Sequence, residues 1–100
     1  MKSMSFVDPN QFVITRRRKK YKFALFNNSP LCFEYDEWTP RPIDVLEIGA
    51  GTGLFSVELA TRHPEQRFLA VDVKADRLQK GARAAERCGL TNIWFVRARA

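Results

Sequence analysis

Ile43-Asp44-Val45-Leu46-Glu47-Ile48-Gly49-Ala50-Gly51-Thr52-Gly53 is the stretch on which the fold turns. A short apolar run that stops at a glycine predicts a strand buried on both faces. The glycines predict a tight turn, and Leu54 to Arg62 then predict a helix with Val57, Leu59 and Ala60 on its inner side. His63-Pro64 closes that helix, because proline cannot easily continue one. Outward from there the alternation repeats. Arg67 to Asp72 predict a second strand, and Ala75 to about Arg87 a second helix. Ala75, Leu78, Ala82 and Ala85 fall on one stripe of it, and Gly89 is placed to cap it in a left-handed conformation. Asn92 to Arg97 predict a third strand, with Trp94 and Phe95 as core residues. The order β-α-β-α-β specifies an α/β fold with parallel strands and right-handed crossovers.

Such a turn between strand and helix is a place to bind something. Glycines let the backbone approach a ligand, and the exposed N–H groups of the helix start point at it. The dinucleotide fingerprint wants a third small residue at position 54, where this chain has Leu54. Here the spacing is G-x-G-x-G, led by the acid Glu47. An acid sits badly beside a pyrophosphate but well beside S-adenosylmethionine, which carries a sulfonium and an ammonium and no phosphate. Asp72, at the tip of the second strand and 19 residues after Gly53, can accept both ribose hydroxyls of an adenosine. The expected cofactor contacts are therefore Glu47, Gly49, Gly51, Gly53 and Asp72. For Glu47 the plainer alternative is a strand-end acid that only binds neighbouring N–H groups.

The chain divides near Thr39-Pro40-Arg41-Pro42, where two prolines interrupt any helix. Residues 1–42 read as a basic, aromatic N-terminal extension, and residues 43–100 as the N-terminal half of a cofactor-binding domain, cut short. The net charge is +6, and Arg16, Arg17, Arg18, Lys19, Lys20 and Lys22 supply six positive charges within seven positions. Such a cluster suits a polyanion, since each neutralised phosphate releases counterions, and it equally suits a solvated face. Tyr21, Phe23, Phe26, Phe33, Tyr35 and Trp38 are expected mainly to pin the extension onto the sheet.

Val-Leu-Glu-Ile-Gly-Ala-Gly-Thr-Gly, Leu-Ala-Thr-Arg-His-Pro-Glu, Phe-Leu-Ala-Val-Asp-Val-Lys and Thr91-Asn92-Ile93 together resemble the tRNA (guanine-N7)-methyltransferase family. The basic prelude Ile14 to Tyr21 is similar to the N-terminal extension of some members. The resemblance implies the first half of a Rossmann-like class I methyltransferase fold, with Glu47 as the acid ending strand one and Asp72 as the acid on the ribose. It implies S-adenosylmethionine as cofactor, tRNA as partner and methyl transfer to N7 of a guanine. It also gives weight to phosphate contacts by the Arg16–Lys22 run. The family carries a further Asp after strand three, beside the adenine; this chain reads Arg97-Ala98-Arg99-Ala100 there, so either that Asp follows Ala100 or the adenine side of the pocket differs. Guanine N7 has a lone pair and no proton, so no catalytic residue is expected within 1–100.

Other readings are a methyltransferase for protein or small molecules, a non-catalytic RNA-binding module, and an NAD-dependent oxidoreductase, which Leu54 disfavours. Cys32 and Cys88 lie too far apart for a paired metal motif, and no metal site is expected. His63 reads as a helix-end cation. With neither a ~20-residue apolar span nor a signal-like start, a cytoplasmic protein away from membranes is expected. The first strand, central in such folds, should be left with an open apolar edge.

Overall fold

The computed structural model describes residues 21–99. Residues 21–28 are helical (α1). They are followed by β1 (Cys32–Glu34), one 3-10 turn (Tyr35–Glu37), β2 (Val45–Ile48), α2 (Leu54–Arg62), β3 (Phe68–Asp72), α3 (Ala75–Arg87) and β4 (Ile93–Arg97). From residue 43 onward these are the five expected elements in the expected order. The strands form one sheet in the order β1-β4-β3-β2, every pair parallel. This is a partial Rossmann-like α/β domain.

One sheet face carries Phe68, Ala70, Ile93 and Phe95, all buried, and packs against Val57 and Ala60 of α2 and Leu78, Ala82 and Ala85 of α3. Small residues on α3 let the helix lie close to the strands. Its end follows the left-handed glycine pattern: Gly89 has φ +68, its N–H donates to Glu86 O, and Leu90 N–H donates to Ala85 O.

The extension does more than decorate the surface. Phe26 of α1 is 1% exposed and joins the core, and β1 adds a parallel edge strand to β4, pairing Cys32 with Phe95 and Glu34 with Arg97. Burial pushes the Cys32 thiol up to about 12, although a hydrogen bond with Ser29 opposes the shift. On the second sheet face Trp38 lies 6.1 Å from Trp94 and edge-on to Phe33. The Arg41 guanidinium stands 4.4 Å from the Trp38 ring and 5.1 Å from that of Trp94. The proline-flanked linker is thereby clamped across the sheet by cation–π contacts. At the opposite edge β2 has no outer neighbour among the described residues, and Leu46 and Ile48 are exposed. That is the open apolar edge expected for the first strand, but the expected burial on both faces is absent, since no residue of β2 is fully buried.

Asn92 fastens the far end of the sheet. Its buried Nδ2 donates to the carbonyls of Ala60, His63 and Gln66, tying the α2 exit to the start of β4. Asn92→Leu should strand these carbonyls and cost about 2–3 kcal/mol. A urea midpoint equal to that of the parent would refute this. Among the described residues, no helix is long and apolar enough to cross a membrane.

Candidate functional site

The glycine turn lies at the carboxyl end of β2, beside the end of β3. Gly49, Gly51 and Gly53 have φ of +73, +63 and +77, a region that residues with a Cβ rarely enter. The three glycines do different work. Around Gly49 and Gly51 an added Cβ would meet nothing within 4 Å, so both face open space. Gly53 is buried, and a Cβ there would come within 2.7 Å of the Phe95 ring. Its lack of a side chain is explained by packing beneath the turn.

Asp72 is drawn to the same place. Gly51 N–H donates to its Oδ2 at 2.6 Å, and Lys74 N–H donates to its Oδ1 at 3.1 Å. Partial burial works against the charged carboxylate. The N–H groups of Gly51, Lys74 and Val73, with the Arg77 charge, outweigh it and hold Asp72 below its ordinary value. Each carboxylate oxygen can accept more than one hydrogen bond, so the anchored group keeps capacity for ligand hydroxyls.

Glu47 stands opposite Ala70 in the β2–β3 register, at the same end of the sheet as Asp72. Its side chain turns toward α2, where buried Ser56 donates its hydroxyl proton to Oε1 at 2.5 Å. Nothing in the sequence marks Ser56 as that partner, because a serine among apolar helix residues gives no such signal. Ile48, Gly49, Val71, Asp72, Val73 and Ala98 line a cavity of about 190 Å³ over the strand ends. Glu47 is not among its walls. The cavity brings together Gly49 and Asp72, with Gly51 held against Asp72.

Of the basic run, Arg16 to Lys20 lie outside the described residues. Lys22 lies on α1, in a groove of about 450 Å³ shared with Lys80, Arg83 and Arg87 of α3. Among the described residues, no group of three or more His, Cys, Asp or Glu side chains is placed to hold a metal ion.

A parallel α/β sheet with an open glycine turn, backed by a carboxylate on the next strand, defines a Rossmann-like domain with the fold of a methyltransferase half. The chain belongs to the family described as "Putative methyltransferase", whose model matches residues 41–100. Several relatives carry the name tRNA (guanine-N(7)-)-methyltransferase. That of Christiangramia forsetii is 43% identical over 53 residues, covering 53% of this chain and 24% of its own length. That of Bacteroides thetaiotaomicron is 40% identical over 100 aligned positions, covering 81% of this chain and 39% of its own. That of Brevibacillus brevis is 35% identical over 80, covering 75% and 36%. The chain thus spans between about a quarter and two fifths of the length of these relatives.

Proposed function

We propose that this chain forms the S-adenosylmethionine-binding part of an enzyme that methylates N7 of a guanine in tRNA. The observation that carries the reading is the Gly51–Asp72 hydrogen bond. It fuses the side-chain-free turn and the acidic strand tip into one cradle for a nucleoside. The donor set fits the cofactor. Asp72 would take the ribose hydroxyls, Gly49 and Gly51 would leave room for the chain beyond the ribose, and Glu47 and Asp72 together would favour a cationic ligand. Gly53 would keep the turn in shape from beneath.

The cofactor, when bound, supplies an electrophilic methyl group. Because guanine N7 needs no proton removed, the residues of this chain act by holding and orienting, and none serves as acid or base. The tRNA part rests on the relatives' names and on the cation-lined α1–α3 groove. There, Lys22, Lys80, Arg83 and Arg87 make no ion pair with a carboxylate among the described residues. Five further cations, Arg16 to Lys20, precede Tyr21 directly in sequence.

Two measurements test the proposal. Calorimetry of the chain with S-adenosylhomocysteine should show stoichiometric binding; no heat would remove the cofactor reading. Replacing Arg16, Arg17 and Arg18 by glutamine should weaken tRNA binding and reduce the slope of log affinity against log salt by about 2–3. An unchanged slope would mean that the run is a solvated face.

A further inference from the structure

Two hydroxyls on α2 are used differently. Thr61 donates from Oγ1 back to the carbonyl of Val57 at 2.8 Å, the ordinary bond of a helical hydroxyl to its own preceding turn. Ser56, in the first turn and 2% exposed, gives its single proton elsewhere: it reaches across to the strand and donates to Glu47 Oε1 at 2.5 Å. Among the described residues, the Glu47 carboxylate has no other hydrogen bond and no ion pair. One buried hydroxyl therefore decides where that charge stands.

The place matters for what can bind. The start of a helix carries unpaired N–H groups and a positive partial charge, which suits a phosphate. The first turn of α2 has no acid of its own. Glu47, brought in from β2 and fastened by Ser56, supplies a negative charge there. Thr52 Oγ1 accepts from Leu54 N–H at 3.3 Å and so occupies the first of those N–H groups. The Leu54 side chain stands where a phosphate-binding turn wants a small residue. Oxygens of the chain itself thus fill the position that an anion would take. Glu47 is not among the walls of the cavity at Asp72, so it meets whatever extends beyond a nucleoside seated in that cavity.

We infer that Ser56 is a positioning residue: by fixing the Glu47 carboxylate at the start of α2, it makes the site select adenosine ligands by the charge of their 5′ group. A cationic arm is accepted and a phosphate is turned away. This rests on the reading of Asp72 as the ribose-binding carboxylate. An unfastened glutamate swings toward water, where its charge is screened and acts weakly on a ligand of either sign. A fastened one attracts ammonium and sulfonium and repels phosphate, and selectivity is the difference between the two.

Three ligands that share adenosine and differ in the 5′ group test the inference on the full chain: S-adenosylmethionine, which is cationic, 5′-methylthioadenosine, which is neutral, and ADP. Calorimetry measures the first two, and competition against 5′-methylthioadenosine measures ADP. Ser56→Ala should weaken S-adenosylmethionine about three- to tenfold, leave 5′-methylthioadenosine within about twofold and strengthen ADP about threefold. Ser56→Cys, close to serine in shape but a much weaker donor, should repeat the pattern. Glu47→Gln should move the affinities in the same directions and further. In the Glu47→Gln background, Ser56→Ala should change none of them beyond about twofold, because the charge it positions is gone. Equal weakening of all three ligands by the Ser56 variants marks a structural role and overturns the inference. So do Ser56 variants that bind all three as the parent does, and a Ser56→Ala effect that persists undiminished beside Glu47→Gln. In each of these cases the cradle at Asp72 stands. A parent chain that binds neither S-adenosylmethionine nor 5′-methylthioadenosine overturns the cofactor reading itself, and this inference with it.

Discussion

Gly81→Ala is expected to be the most damaging single methyl group that can be added to this chain. A Cβ at Gly81 would stand 2.1 Å from the carbonyl oxygen of Thr52 and 2.9 Å from the Phe95 ring. The first of these neighbours is backbone, inside the glycine turn, and cannot swing aside as a side-chain end could. Alanine is the better helix former by about 1 kcal/mol, which favours the variant. Overpacking a tight contact costs about 1–3 kcal/mol and more when backbone must move. The clash wins. A net loss of about 2–3 kcal/mol is expected, lowering the melting temperature by roughly 10–20 °C for a domain of this size. Thermal melting followed at 222 nm decides it: a midpoint at or above that of the parent would mean that α3 does not press on the turn.

Asp72→Asn should abolish most of the affinity for S-adenosylhomocysteine while leaving the sheet intact. In the parent, both carboxylate oxygens accept from backbone N–H groups, Gly51 on one and Lys74 on the other. An amide has one accepting side only, so one of these N–H groups would face an NH2. The variant also loses the charge that strengthens hydrogen bonds to ribose hydroxyls, each worth about 1.5–3 kcal/mol when charged. Together these predict a fall in affinity on the order of 100-fold. Titration calorimetry with wild-type and variant chains checks it, and affinities within about threefold would exclude Asp72 as the ribose anchor.

The same carboxylate sets the pH dependence. Its native value lies below the ordinary one, so ionised Asp72 contributes stability in full above the unfolded value of about 3.9. That contribution falls away as pH drops through the lower native value. Between pH 5 and 9, therefore, Asp72 should introduce no step in stability or in binding.

Regular periodicity made residues 43–97 legible. Strands closing on Gly49 and Asp72 and the alanine stripe of α3 are short-range patterns that survive in any packing. The helix, strand and 3-10 turn before residue 43 left no such trace. Cys32-Phe33-Glu34 is too short to show alternation, and it is a strand because β4 offers it an edge. Likewise Trp38, Arg41 and Trp94 gain meaning only when the linker folds over the sheet. Gly81 carries no signal in the sequence pattern; in the fold it is the place where α3 touches the turn.

Sequence alone determined the element order from residue 43 onward, the glycine turn and the two acids toward the strand ends, because each depends on local conformation and spacing. Tertiary structure decided which glycines face open space and which merely make room for Phe95. It also decided that Glu47 turns toward Ser56, and that the extension adds a strand to β4 and Phe26 to the core. Those outcomes depend on atoms brought together from distant parts of the chain, where a fraction of an ångström separates a cavity from a clash.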